Sequence, residues 1–207
     1  KEAALETAPL FRLSNADSAG LNFKNQIVEN DLINFFTWKY IYNGGGVSQN
    51  RVSGNYIGTD STGGTAVPNE VDGVQILDGD NNLVGGPTRA YGNVLSGNNS
   101  GLFLQGNADN NTARNNFIGT DPTGTFAVPN ISEAAVIIQG AFTGGSNGNT
   151  IADNIISGNS GNGIRIQNAD NYTTAFLTDN NNIIRNHIGV NAAGNAALAN
   201  GLNGIII

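Results

Sequence analysis

The sequence contains no cysteine and no methionine, and only 12% of its 207 residues are charged. The missing cysteines exclude disulfides, thiolate nucleophiles and cysteine-based metal sites. Amphipathic helices normally carry more charge on their outer face, so the low charge content argues against a helical protein. Sixteen Asp and Glu outnumber nine Lys and Arg, which gives a net charge of -7. This charge disfavours nucleic acid and anionic lipid as partners.

Long apolar runs are also missing. No segment approaches the roughly 20 apolar residues of a membrane helix, so we expect no membrane insertion. The segment that starts at Lys1 lacks the apolar core of a signal peptide, and we expect a secreted form to be the mature chain or an excised part of it. The 29 glycines and the abundant asparagines favour turns and strands.

An internal repeat runs through most of the chain. Six segments begin with Asn, carry an aliphatic residue at the third position and carry Asn or Asp at the sixth. They begin at Asn25, Asn55, Asn93, Asn116, Asn154 and Asn186, with spacings of 30, 38, 23, 38 and 32 residues. Four extend backwards by five residues, to Asn50, Asn111, Asn149 and Asn181. Each unit predicts a short strand with an Asn corner, because Asn tolerates left-handed backbone and can bond the Asn of the next turn.

A second predicted strand follows each motif and alternates inward apolar residues with outward ones. It covers 20–23, 73–76, 101–104, 135–138, 163–166 and 204–207. The outward column contains Asn22, Lys39, Gln75, Phe103, Ile137, Arg165 and Ile206. Similar ten-residue inserts, 60–69, 121–130 and 191–200, occur on alternate rungs, so the true repeat is a pair of rungs.

These patterns predict an all-β solenoid of about six rungs, stacked about 4.8 Å apart. We expect one domain, with residues 19–207 in the solenoid and residues 1–18 as an N-terminal cap or edge segment. A short helix within 2–8, before Pro9, would provide the cap.

The Asn ladder, with its Ile-Gly-Thr-Asp and Ile-Ser-Gly-Asn turns, resembles the right-handed parallel β-helix repeats of pectin-lyase-like proteins. The Asn-rich repeats of large bacterial surface and secreted proteins are the most similar. The resemblance implies an extracellular or cell-surface protein but leaves its activity open. Enzymes of that group usually place paired carboxylates, or a Ca²⁺ site near Arg or Lys, on an outward strand face. The outward column here offers Lys39 and Arg165, and we expect no carboxylate beside them.

Phe103, Ile137 and Arg165 are candidates for a lateral interaction surface, since exposed apolar stripes often mark such surfaces. The alternative is that an insert or the N-terminal segment covers the apolar residues. The aromatic run at 35–42 could stack against sugar rings, although core filling is the favoured interpretation. The sequence therefore leaves glycans open as partners.

Asp60 and Asp121 are candidates for weak calcium binding at matching corners, but ordinary turn capping by Asp is favoured. His187 is the only histidine and has no Ser or carboxylate fixed beside it, so we expect a surface aromatic rather than a base. We predict no catalytic residue and no cofactor.

The chain ends on three isoleucines in the middle of a rung, and open solenoid ends invite further pairing. We expect an end-stacking interface between Leu10, Phe11, Leu13, Leu21 and Phe23 at one end and Ile205, Ile206 and Ile207 at the other. The partner would be another copy or the rest of a longer β-helix. The sequence predicts a non-catalytic structural β-helix, such as a filament, surface-layer or appendage subunit. The alternative is a polysaccharide-binding or polysaccharide-degrading, lyase-like module of a larger secreted protein.

Overall fold

The computed structural model describes residues 48–141, 144–168 and 178–207, together with the backbone of the strand Ile41–Asn43. These residues form β-strands, turns and a 3-10 turn at Arg89–Tyr91, with no α-helix among them. Within this part of the chain, no helix is long and apolar enough to cross a membrane. The predictions for residues 1–18, for Leu10, Phe11, Leu13, Leu21 and Phe23, for the Asn25 motif and for most of the aromatic run concern residues outside the described ones.

The chain winds through five complete rungs of three short strands each, and then begins a sixth. The first rung consists of β1 (Ile41–Asn43), β2 (Arg51–Val52) and β3 (Tyr56–Ile57), and the second of β4 (Val74–Leu77), β5 (Leu83–Gly85) and β6 (Val94–Leu95). The third consists of β7 (Leu102–Gly106), β8 (Thr112–Arg114) and β9 (Phe117–Ile118). The fourth has β10 (Ala134–Gly140), β11 (Thr150–Ala152) and β12 (Ile155–Ile156), the fifth has β13 (Asn162–Gln167), β14 (Asn182–Ile184) and β15 (His187–Ile188), and β16 (Ile205–Ile206) opens the sixth.

Strands at the same place in successive rungs pair in parallel and form three sheets. Sheet A contains the first strand of each rung, sheet B the second and sheet C the third. The predicted all-β parallel β-helix is therefore confirmed, and the described residues form about five of the six expected rungs.

One core fills the space between the three sheets, and each rung adds a layer to it. Parallel pairing keeps each inward residue above its equivalent, as in the column Val74, Leu102, Val136 and Ile164 of sheet A. These four side chains are at most 2% exposed. Sheets B and C complete the layers with Val84, Ala113, Ile151, Ile57, Leu95, Ile118 and Ile156. Because burying one aliphatic side chain contributes about 1.5–3 kcal/mol, a layer becomes stable only when its neighbours cover it.

The register of the first rung differs from the sequence-based expectation. β1 pairs with β4 so that Ile41 lies opposite Val74 and Tyr42 opposite Gln75. The prediction that Lys39 precedes Gln75 in the outward column is therefore wrong. The aromatic run contains no Gly or Asn before Asn43, so its sequence gives no corner from which to count the alternation.

The inserts cover the outer face of sheet C. Along the axis of the solenoid, each insert takes up the height of two rungs. An antiparallel bridge closes each insert, at Thr59–Ala66, Thr120–Ala127 and Val190–Ala197. On the rung between two inserts, the short turn at Gly97 donates its N–H to the carbonyl of Val128, at 3.1 Å. A Cβ atom on Gly97 would lie 2.9 Å from the Cβ of Ala66, so no room remains for another insert. This crowding explains why the repeat is a pair of rungs.

Candidate functional site

The predicted Asn ladder is present at the corner between sheets B and C. It contains Asn55, Asn93, Asn116, Asn154 and Asn186. The Oδ1 atom of Asn116 accepts hydrogen bonds from both the backbone nitrogen and the Nδ2 atom of Asn93, at 3.0 and 2.9 Å. The Nδ2 atom of Asn116 also donates to the backbone oxygen of Val84, at 3.0 Å. Each Asn therefore connects its own rung to the rungs before and after it.

Two further ladders occupy the other corners. Asn50, Asn82, Asn111, Asn149 and Asn181 lie between sheets A and B, and Asn69, Asn98, Asn130, Asn159 and Asn200 lie between sheets C and A. Sequence reasoning missed Asn82 because eleven residues, rather than five, separate it from Asn93. The assignment of Asp60 and Asp121 to the third corner is wrong. Asn69 and Asn130 occupy that corner. Each insert begins before the corner, at Asp60 or Asp121, and its last residue is the Asn of the corner.

The lateral candidates lie side by side on the outer face of sheet A. Phe103 and Ile137 are paired in register, but Ile137 is only 6% exposed and Phe103 is half-buried. The inserts do not cover these residues, since they lie over sheet C. Arg165, the next residue of the column, forms an ion pair with Glu133. The expectation that no carboxylate lies beside this cation is therefore wrong, because Glu133 precedes β10 and stands outside the strand alternation.

Asp121 caps its own insert. Its Oδ1 atom accepts hydrogen bonds from the backbone nitrogens of Thr125 and Phe126, both at 2.8 Å, and Thr123 donates to Oδ2. Burial acts to raise the pKa of Asp121, but these hydrogen bonds outweigh it and hold the pKa below its ordinary value. The side chain thus has the turn-capping role that the sequence analysis favours.

The same cap recurs in the other two inserts. A hydrogen bond from the hydroxyl of Thr62 lowers the pKa of Asp60, and in the third insert the cap is the neutral side chain of Asn191. An uncharged residue can therefore fill this place. Among the described residues, no group of three or more His, Cys, Asp or Glu side chains could hold a metal ion.

His187 lies on the outer face of sheet C, in register with Ile155. Its Nδ1 atom is 3.2 Å from the backbone oxygen of Asn191, and Gly194 of the third insert lies against the ring. The imidazole thus lies on the outer face of the sheet, half-buried beneath the insert. Val94, Phe117 and Ile155 form a small second hydrophobic cluster beside it. This cluster is separate from the core that the three sheets enclose.

The last rung presents an open face. Ile205 pairs with Ile164, and Ile205, Ile206 and Ile207 are 43%, 38% and 92% exposed. On earlier rungs, the backbone N–H of each ladder Asn donates to the Oδ1 atom of the next Asn. The N–H groups of Asn181, Asn186 and Asn200 have no such acceptor within the described part of the chain.

The comparisons with known proteins agree with this architecture. One family profile, described as periplasmic copper-binding protein (NosD), matches residues 23–203, which is well over half of the chain and includes all five complete rungs. No curated protein and no solved structure matches the chain. The family consists of right-handed parallel β-helices of the pectin-lyase-like superfamily, as the repeats implied. The chain therefore belongs to the NosD family.

Proposed function

We propose that the chain is a non-catalytic structural β-helix that works outside the cytoplasm, in the periplasm or beyond it, and that its last rung pairs with further rungs. The observation that carries this proposal is the uniform direction of the three Asn ladders. The family description as periplasmic supports the location. The further rungs belong either to another copy of the chain or to the rest of a longer β-helix.

The direction of the ladders makes the open face selective. Every ladder N–H points toward the following rung, as from Asn154 to Asn186 at 2.9 Å. A rung added to the last one would have to offer an Asn oxygen at each of three corners and a parallel strand beside β16. Only another rung of the same kind supplies all four, whereas an unrelated β-edge would supply only the strand. The exposed side chain of Ile205 adds apolar area to be covered.

Sedimentation velocity and electron microscopy of the purified chain at micromolar concentration test the proposal. We expect rods that associate end to end. The double variant Ile205→Lys/Ile207→Lys should remain monomeric because it puts two charges on the open face. Ile131→Lys is the matched control, since Ile131 is 69% exposed on the side of the rod, and it should assemble like the wild type. A wild-type chain that stays monomeric at high concentration would contradict pairing between copies.

Copper binding is not part of the proposed function, because the donor set of this chain does not fit the metal in the family description. Copper(I) favours thiolate and thioether ligands, and copper(II) favours imidazole. The chain has no cysteine, no methionine and one histidine. The Nδ1 atom of that histidine, His187, already contacts a backbone oxygen of its own insert.

The alternative function is a polysaccharide-degrading module. Such an enzyme needs carboxylates and a cation together on one face. Among the described residues, the ion pair on the outer face of sheet A is that of Glu133 with Arg165. Glu133 is about half exposed, and its carboxylate is paired with Arg165. Release of oligosaccharides from an acidic or neutral glycan by the purified chain would contradict the non-catalytic proposal.

A further inference from the structure

Sheet B is bordered by two edges of opposite charge. Four of the five arginines among the described residues carry their charge at or beside the corner between sheets B and C, which we call the arginine edge: Arg51, Arg89, Arg114 and Arg185. Four of the ten described carboxylates lie at the corner between sheets A and B, which we call the aspartate edge: Asp78, Asp80, Asp109 and Asp179. The second, third and fifth rungs therefore each carry an arginine on one edge and an aspartate on the other.

The arginine edge keeps a net positive charge. The Nε and Nη2 atoms of Arg185 donate to Asp153 at 2.7 and 3.0 Å, yet the side chain of Arg185 is 66% exposed. Arg89 is exposed, and its guanidinium makes no hydrogen bond or ion pair with any described residue. Arg51 reaches this edge across the sheet, and its guanidinium carbon lies 5.2 Å from the centre of the Tyr91 ring. One carboxylate thus faces several arginines.

The aspartate edge keeps its negative charge. The Oδ1 atom of Asp78 accepts the backbone N–H of Asn107, and that of Asp80 accepts the backbone N–H of Asp109, both at 2.9 Å. These bonds fix the carboxylates on the rod and leave their charge uncompensated. Asp78 and Asp179 are exposed, and within the described part of the chain none of the four aspartates forms an ion pair.

The face between the two edges is open and lined mainly by short side chains. The inserts cover sheet C and leave the outer face of sheet B free. Thr112 and Thr150 pair in one outward column of this face. Gly85 and Ala152 lie in the other column, on either side of Arg114. Short side chains allow a second sheet to approach to the spacing of stacked sheets, about 10 Å.

We propose that sheet B packs face to face against sheet B of a second copy of the chain, with the two rods parallel. A two-fold axis parallel to the rods sets the arginine edge of each copy against the aspartate edge of the other, and it keeps every residue at its own height. Arg89 on the second rung then faces Asp78 and Asp80 of the other copy. Arg185 faces Asp179 of the other copy on the fifth rung. An antiparallel pair would set like charges against each other on both edges, so charge complementarity selects the parallel pair.

The size of the face predicts a weak pair. A direct crossing of sheet B, as from Asn50 to Asn55, spans about 16 Å, and five rungs stack to about 19 Å. The face is therefore on the order of 300 Å² per copy, whereas a stable complex buries about 800 Å² per partner. The charged edges must supply much of the affinity, and we expect the pair to form at high protein concentration and low salt, above the micromolar range used for end-to-end assembly.

Sedimentation equilibrium and small-angle X-ray scattering of the full chain test the pair. The Ile205→Lys/Ile207→Lys chain is used at high concentration, because its open end is blocked. At low salt we expect the mass to double while the longest dimension stays that of one rod, since lateral pairing thickens the particle and end stacking lengthens it. High salt should return the monomer, because it screens the exposed charges.

Charge variants in the same chain test the two edges. Asp78→Asn/Asp80→Asn keeps both Oδ1 acceptors and should raise the dissociation constant on the order of tenfold, because each lost contact occurs twice in a two-fold pair. Asp60→Asn/Glu133→Gln is the matched control, since it removes the same charge from other faces of the rod, and it should not weaken the pair. General repulsion between chains of net charge -7 predicts the opposite for the first variant, namely tighter association. Circular dichroism verifies that the variants keep their fold.

Cysteine crosslinking tests the direction of the pair, because the chain has no cysteine of its own. Asn107 is exposed on the aspartate edge at the third rung, and Ala90 is exposed in the turn of the arginine edge at the second. A mixture of Asn107→Cys and Ala90→Cys chains should crosslink through a short bismaleimide. Asn107→Cys alone should not, because a parallel pair sets its two copies on opposite edges. An antiparallel pair would bring them together, since the third rung is the middle one of five.

Three results would overturn the inference. The first is a chain that stays monomeric at low salt and high concentration. The second is an Asp78→Asn/Asp80→Asn chain that associates as tightly as its control. The third is efficient crosslinking of Asn107→Cys with itself. The inference goes beyond the proposed function, and it fails independently of end-to-end assembly, because sheet B and the open end are different surfaces and only end stacking lengthens the rod.

Discussion

The backbone nitrogen and the side-chain nitrogen of Asn93 share one acceptor, the Oδ1 atom of Asn116 on the next rung, at 3.0 and 2.9 Å. Both residues are at most 1% exposed. Bulk water therefore does not compete for the shared oxygen in the folded protein. The Oδ1 atom of Asn116 therefore satisfies buried donors at the corner, as backbone hydrogen bonds satisfy them within the strands.

Asn116→Ala tests this dependence. The substitution leaves the backbone nitrogen of Asn93 without an acceptor and the carbonyl of Val84 without its Nδ2 donor, while the Nδ2 atom of Asn93 keeps only its bond to the carbonyl of Val52. We expect the free energy of unfolding to fall by about 3 kcal/mol or more, because each buried unsatisfied group costs about 1–3 kcal/mol. Denaturant titration followed by circular dichroism measures the loss.

Asn99→Ala is the matched control for the ladder. Asn99 is half-buried, and its side chain makes no hydrogen bond within the described residues. Its replacement should change the free energy of unfolding by no more than about 0.5 kcal/mol. Equal losses in the two variants would show that the ladder contributes nothing beyond ordinary packing.

Gly97→Ala should test the contact between a short turn and an insert. Gly97 has a φ angle of 76°, and a Cβ there would meet Ala66 at 2.9 Å and also the carbonyl of Gly58. Gly54 has almost the same φ, 74°, with nothing within 4 Å of its Cβ position. We expect Gly54→Ala to cost about 1 kcal/mol through backbone strain alone. Gly97→Ala should cost about 3 kcal/mol, since strain and overlap add.

Denaturant titration of both glycine variants gives the comparison. The difference between their unfolding free energies reports the overlap of the added methyl group of Gly97→Ala with the first insert and with the carbonyl of Gly58, because the backbone conformation is common to both. If the two variants are equally stable, the inserts do not press on the short turns, and the alternation of inserts needs another explanation.

Local pattern was sufficient to predict the fold and one of the three ladders. Asn55, Asn93 and Asn116 each precede an aliphatic residue by two positions, and the strand that follows alternates strictly. The third ladder was not predictable in this way. Asp60 and Asn69 stand at the two ends of one insert, and only the contact of Asn69 with Asn98 on the next rung decides which end lies at the corner.

Arg89, Arg114 and Arg185 all lie close enough to Asp153 to lower its pKa, but nothing in the local sequence predicts that they lie together. Arg89 and Arg114 are 25 residues apart, and Arg114 and Arg185 are 71 apart. They reach one edge because rungs of different length, with different inserts, all return to the same three corners. A search for local sequence patterns cannot detect this alignment, because the alignment depends on the length of every rung between the arginines.

Copper titration tests the mismatch between the donor set and the family description. We expect no tight stoichiometric site for copper(I) or copper(II) in isothermal titration at neutral pH, because the chain has one imidazole and no sulfur ligand. His187→Gln should leave the weak residual binding almost unchanged. A tight site in the wild-type chain that disappears in His187→Gln would contradict this expectation and would identify a copper centre at sheet C.

Asp121 gives a prediction for pH. Its pKa is lowered in the folded protein, so its carboxylate stabilises the fold above the ordinary value near 3.8, and this stabilisation is lost as the pH falls through the lowered folded pKa. Asp121→Asn should be modestly less stable than the wild type at pH 7, and the difference should be smaller at pH 3, which lies below the ordinary pKa of 3.8. Asp121→Ala should be less stable at both pH values, by about 1 kcal/mol or more, since it removes the acceptor itself. Urea titrations at the two pH values measure these differences.

The third insert already has a neutral cap, Asn191. An Asp121→Asn variant as unstable as Asp121→Ala would therefore contradict the equivalence of the inserts. It would mean that the second insert needs the charge of its cap.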